Sequence, residues 1–125
     1  MTRLLLTAVV SLFLCSCTLS PSHTDSQPIN HVVLIWLKDS GNEQHRQQVI
    51  AASQELEKIP GVIKIQAGDV IASERKVVDD SFDVGVHMLF KDQAAMHSYT
   101  SHADHVDIVK TRVVPLAEKI VIYDF

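Results

Sequence analysis

Cysteine is almost missing from this chain. It occurs twice among 125 residues, as Cys15 and Cys17, and not at all beyond them. The remainder therefore has no disulfide framework and no thiolate to offer a metal or a substrate. Clustered positive charge is missing too. The nearest basic run, Glu74-Arg75-Lys76, is mixed in sign, and the formal net charge is −4, a balance that argues against a nucleic-acid surface. None of the four glycines falls in a phosphate-cradling pattern, so no nucleotide or other cofactor is expected. No apolar run reaches the roughly 20 residues a membrane-spanning helix needs. Hydrophobic residues still make up 46% of the chain, enough for one small domain to bury a core.

The apolar run Leu4–Leu14 has 11 residues and follows Arg3. That length suits the core of a secretory signal and is too short to cross a bilayer. It ends in Leu14-Cys15-Ser16-Cys17, which resembles the bacterial lipobox: an apolar residue, two mostly small residues, then the cysteine that receives lipid. Cys15 has Leu14 where a small residue is wanted, so Cys17 is the better match. The alternatives are a plain cleaved signal or a buried N-terminal helix. The lipoprotein reading is preferred because Thr18 to Pro28 is rich in Ser, Thr, Pro and Gln without apolar periodicity, the composition of a flexible tether. The expected organisation is a signal peptide over 1–16, a lipidated N-terminus and tether over 17–28, and a domain over 29–125. Thr18, rather than Asp, follows the cysteine, which points to a membrane anchor in the cell envelope, at the outer membrane facing the periplasm.

Within the domain, Ile29 to Leu37 is rich in β-branched and aromatic types and is expected to be a strand. His31, Val33, Ile35 and Leu37 share one face; Val32, Leu34 and Trp36 share the other. Asp39-Ser40-Gly41-Asn42 is a turn that can cap a helix. Val49, Ala52, Leu56 and Ile59 follow the helical period over Glu43 to Lys58, and Pro60-Gly61 stops it. Val62 to Val70 alternates as a second strand, with Val62, Lys64 and Gln66 opposite Ile63, Ile65 and Ala67. Ala72 to Ser81 is polar and reads as a loop. Phe82 to Phe90 is the third strand, with Val84, Val86, Met88 and Phe90 on one face and Asp83, Gly85, His87 and Leu89 on the other. A helix follows Lys91-Asp92, with Ala94, Ala95, Met96 and Tyr99 inward. Ser101 is expected to cap a second helical stretch, His102 to Val114, which Pro115 ends. Ile120 to Phe125 closes the chain as a strand.

This β-α-β-β-α-β order implies an α+β, ferredoxin-like protomer: an antiparallel sheet with helices on one face. The opposite face, with Val32, Leu34, Trp36, His87 and Leu89, is left without cover. An apolar face of that kind marks an interface, and two such sheets packed together would bury it.

These residues resemble a known family. His31-Val32-Val33-Leu34, Ile59-Pro60-Gly61-Val62, Phe90-Lys91-Asp92, Tyr99-Thr100-Ser101-His102-Ala103-Asp104-His105 and Ile122-Tyr123-Asp124-Phe125 are similar to the stress-responsive A/B barrel (Dabb) domain of the dimeric α/β barrel superfamily. The resemblance covers Asn30 to Phe125. It implies a homodimer packed sheet to sheet. Most members have no defined activity, and some plant members are polyketide cyclases. In those cyclases the positions matching Tyr99 and His105 serve catalysis in a cavity between helices and sheet, with the positions matching His31 and Asp124 near it. Ala103 departs from the family, which often has Pro there. Lipoprotein targeting departs from the cytosolic plant members and puts a biosynthetic role in doubt.

Histidine titrates near neutrality, so His105 can act as a general base. Tyr99 can donate a hydrogen bond to a developing oxyanion, and Asp124 can orient a histidine. The plainer alternative is that His105 and Tyr99 bond each other or the backbone and secure the helix junction. His31, on an apolar strand face, is either a satisfied core histidine or a pocket residue. His102 and His105 stand at i,i+3, but zinc wants three or four converging ligands and this spacing is no motif; no metal is expected. The sequence thus leaves two functions open. One is an envelope Dabb-type homodimer that binds a small apolar ligand. The other is a cyclase- or lyase-like enzyme using His105 with Tyr99.

Overall fold

The computed structural model describes residues 27–125, so the expected signal peptide, Cys15, Cys17 and most of the expected tether lie outside the described residues. The elements run β1 (Ile29–Leu37), α1 (Glu43–Glu55), β2 (Val62–Asp69), β3 (Val84–Phe90), α2 (Gln93–Thr100), α3 (Ala103–Ile108) and β4 (Ala117–Asp124). A 3-10 turn, Leu56–Lys58, continues α1, and a π turn, Val109–Val113, continues α3. The four strands form one antiparallel sheet in the order β2-β3-β1-β4. This is the expected ferredoxin-like α+β fold.

The helix starts follow from local chemistry. Asn42 caps α1 by accepting from His45 N–H at 3.0 Å, and Asp92 caps α2 by accepting from Ala95 N–H at 2.8 Å, each satisfying a donor with no partner inside the helix. The expected Ser101 cap is corrected. Ser101 closes α2 instead, its hydroxyl donating to the carbonyls of His97 and Ser98. His102 caps α3, its Nδ1 accepting from Asp104 N–H at 3.2 Å. At the far end of α3, Val114 N–H bonds to Val109 C=O, the wider spacing of a π turn, before Pro115 halts the helix.

One face of the sheet makes the core. Ile35, Leu37, Val84, Val86, Met88 and Phe90 lie buried under Val49, Ala52, Leu56, Ile59, Met96, Tyr99 and Ile108. The grouping of Val62 with Lys64 and Gln66 is also corrected. Pairing with β3 shifts register between Val62 and Lys64. This bulge sets Val62 against the core beside Ile65 and Ala67 and leaves Ile63 exposed, because one extra residue inverts the alternation. A second shift, where β1 Trp36 and Leu37 meet Lys119 and Ala117, draws β4 three residues further back than Ile120. Gly61, at φ +94, turns the chain into β2; a Cβ there would lie 2.7 Å from the Ala95 Cβ of α2, so both the turn and the close packing require glycine.

Asp83, expected on the uncovered face with His87, is buried instead, only 4% exposed. It accepts from Leu37 N–H (2.8 Å), Gly41 N–H (2.7 Å) and the Ser40 hydroxyl (3.0 Å), tying the β1–α1 turn to the head of β3. Burial works against its ionisation. The two backbone donors, the Ser40 hydroxyl and Arg46 outweigh that and hold the carboxyl below its ordinary 3.8.

The other sheet face carries Val32, Leu34, Trp36, His87, Leu89, Val121 and Tyr123 by register. No helix covers it. Trp36 is braced there by Ser81, whose Oγ accepts its Nε1–H at 3.1 Å, by the edge of Phe82, and by Lys119 Nζ at 4.4 Å from the ring centre. No helix among the described residues is long and apolar enough to cross a membrane.

Candidate ligand site between sheet and helices

Across β1 and β4, His31 stands directly opposite Asp124. His31 Nδ1 lies 2.6 Å from Asp124 Oδ1. The carboxylate can only accept, so Nδ1 carries the proton and Nε2 is left for another partner. His31 is buried, at 6% exposure. Its ring meets Phe90 and Tyr99 edge-on, with centres 5.9 and 6.2 Å away.

Tyr99 ends α2 almost fully buried, 1% exposed, with its ring 4.8 Å from Phe90 and 4.4 Å from His105. Burial pushes its phenol well above the ordinary value, so it stays a hydroxyl and can donate. His105, in the first turns of α3, lies 3.1 Å through Nδ1 from Thr100 C=O. A carbonyl can only accept, so Nδ1 again bears the proton and Nε2 carries the lone pair. Burial lowers the His105 pKa below 6.5; the Thr100 carbonyl opposes this, and the neighbouring His31 and His102 add to it. His105 is therefore a neutral imidazole near pH 7.

His31, Tyr99 and His105 line one cavity of about 160 Å³ between the sheet, α1 and the α3–π segment. Val33, Ile35, Val86, Met88, Val109 and Ile120 make most of its wall. Among the described residues, His31 Nε2, Tyr99 Oη and His105 Nε2 make no hydrogen bond, and all three remain accessible, since the sealed side-chain atom left without a partner is Arg46 Nε. Asp124 joins the group through His31 and does not reach His105. The plainer reading of His105 is present as well: its bond to Thr100 fastens the α2–α3 junction, and it makes that bond with the nitrogen a ligand would not use. His97, His102, Asp104 and Asp107 do not converge; no cluster of metal-ligating side chains occurs among the described residues. A wider hollow of about 590 Å³ lies open on the outer sheet face beside the 70–83 loop, and none of these four residues lines it.

One lining group was not legible as such. Ser53 of α1 is 4% exposed and faces the same cavity. A serine inside a helix reads as a polar-face residue. The signal that could have found it is spacing: Ser53 is four residues after Val49 and three before Leu56, on the buried stripe.

A four-stranded antiparallel sheet with helices on one face defines a ferredoxin-like α+β fold. The profile described as Stress responsive A/B Barrel Domain matches residues 29–125. The chain belongs to the stress-responsive A/B barrel (Dabb) family. It is 30% identical to a Dabb family protein with a ferredoxin-like fold from Mesorhizobium loti, covering 78% of this chain and 94% of that one at a TM-score of 0.64. A stress-response A/B barrel domain-containing protein of Arabidopsis thaliana is 27% identical over 107 residues; these are 86% of this chain but only 40% of the relative, so the chain spans well under half of that protein. Two further structures share the fold. A hydroxynitrile lyase from Passiflora edulis has 20% identity and TM-score 0.68, covering 80% of this chain and 93% of that one. A dimeric protein of Bacteroides fragilis has 19% identity and TM-score 0.60, covering 78% and 94%.

Proposed function

We propose that this domain binds a small, largely apolar molecule bearing at least one oxygen, in the cavity shared by His31, Tyr99 and His105. The observation that carries this reading is the set of three polar atoms, without hydrogen-bond partners among the described residues, that share a mainly apolar wall. A few polar groups converging in an apolar hollow are the usual form of a ligand site. Size narrows the class. An apolar cavity of about 150 Å³ admits benzene, so one of about 160 Å³ suits a single ring or a short branched chain and is too small for a multi-ring polyketide. The test is titration of the purified chain with benzaldehyde, followed by amide shifts. Saturable shifts at β1, the α2–α3 junction and β4, lost in Val33→Trp, are expected; no saturable shift at millimolar concentration would overturn the reading.

We also propose a homodimer joined through the outer sheet faces. Val32, Leu34, Trp36 and Leu89 favour burial there, and the Bacteroides relative is described as dimeric. Sedimentation should give twice the chain mass, and Leu34→Arg should halve it; a monomeric wild type at micromolar concentration would refute the dimer. We further propose that the domain is lipid-anchored to the envelope through Cys17. Labelling with radioactive palmitate should vanish in Cys17→Ser, and label surviving that change would refute the anchor.

A second reading is favoured by one observation, the neutral His105 with its free Nε2 beside the Tyr99 hydroxyl. In a lyase- or cyclase-like reaction, His105 would take a proton from the bound molecule while Tyr99 donates to the oxygen gaining charge. The Passiflora relative is a lyase. A screen of small hydroxynitriles and aldehydes decides: turnover abolished by His105→Ala in a folded protein supports it, and turnover indifferent to that change sinks it.

A further inference from the structure

We infer that Ser53 is a specificity-determining group, and that the ligand presents an O–H or N–H donor to it. This rests on the ligand-binding reading above. Ser53 is buried, yet it borders the cavity from α1, the wall away from the α2–α3 junction. Its Oγ donates to Val49 C=O at 2.8 Å, the back-bond a helical serine makes one turn earlier. The hydroxyl has one proton and two lone pairs. With the proton committed to Val49, only acceptor capacity is left. Ser53 thus differs from Tyr99, whose hydroxyl can give or accept.

The arrangement specifies the ligand by its polarity pattern. Tyr99 Oη supplies a donor, so it suits an oxygen acceptor such as a carbonyl. Ser53 Oγ, on a cavity wall that also includes Val33, Ile35 and Leu56, suits a hydrogen. A molecule with a carbonyl and a separate hydroxyl or amino group meets both. One with a methyl group in place of the hydroxyl leaves the Ser53 lone pairs facing carbon. Discrimination by an unmet polar group exceeds that by shape alone.

Three isosteric pairs test this: ortho-, meta- and para-hydroxybenzaldehyde, each against the methylbenzaldehyde of the same substitution. Each is titrated into the full wild-type chain and into Ser53→Ala, with amide shifts as the readout. For at least one pair, the hydroxyl compound should bind the wild type about three- to tenfold more tightly, the span of one net hydrogen bond. In Ser53→Ala that preference should disappear while the methyl compound binds at least as well as before. Alanine is a good helix former, so the variant keeps its fold, which its circular dichroism checks. Should every pair bind without preference, or with a preference that survives Ser53→Ala, the Ser53 inference is overturned while the cavity remains a binding site. Should no compound bind at all, the ligand-binding reading falls and this inference with it.

Discussion

The two ends of β1 treat buried polar groups in opposite ways. At the Leu37 end, every oxygen of Asp83 is used: two backbone amides and a hydroxyl converge on it. At the His31 end, each ring uses one nitrogen and leaves the other open, and the Tyr99 hydroxyl has no partner among the described residues. The first cluster is closed and fastens the chain. The second is half-filled, on an apolar cavity, and is free to meet something else. Burial alone does not separate them, since Asp83 and His31 are almost equally enclosed. The unused hydrogen-bonding capacity does.

The contrast can be broken by mutation. Asp83→Ala should have the largest effect, about 2–4 kcal/mol of stability in urea unfolding, because it strands the Leu37 and Gly41 amides. A loss no greater than a surface substitution's would show that the turn stands without it. Asp124→Ala should come next, at about 1 kcal/mol, with benzaldehyde binding weakened because the His31 ring is no longer held. Tyr99→Phe should be close to neutral in stability, within about 0.5 kcal/mol, yet lower benzaldehyde affinity by severalfold. If Tyr99→Phe were as destabilising as Asp83→Ala, the distinction between a closed and an open cluster would fail.

Acid should also separate the two ends, though more weakly. His105 has a lowered pKa in the folded state, so the unfolded chain takes that proton first. Its share of stability is whole above 6.5 and falls as the pH drops below it. Asp83 is held below 3.8, so its share is whole above that value and is lost only on further acidification. Urea midpoints measured through this range should decline in two stages, and His105→Gln should remove the upper one alone.

Much of the fold was legible because alternation and helical spacing directly report burial. The faces of β1, the inward face of β3 and the apolar members of the α1 stripe needed no more than that. What escaped were departures from strict period. The bulge in β2 moved Val62 to the core, and the shift at Trp36 lengthened β4 into Ala117-Glu118-Lys119, a stretch with weak strand preference. The cap on α3 fell to His102 because Ser101 was already spent on α2. For the site, Tyr99 and His105 could be picked out by resemblance. That Asp124 serves His31 rather than His105 depends on a register joining residues 93 apart, which local pattern does not carry. Ser53 was hidden by its residue type.

The bulge at Ile63 bears on how this chain tolerates changes in length. Removing a single residue from a strand ordinarily swaps inside for outside from that point on. Removing Ile63 would do the reverse. Val62 would precede Lys64 directly, and inward and outward positions would alternate evenly through Ile65 and Ala67. β2 therefore contains one position at which a codon can be gained or lost without turning the strand over, next to neighbours where the same event would expose the core.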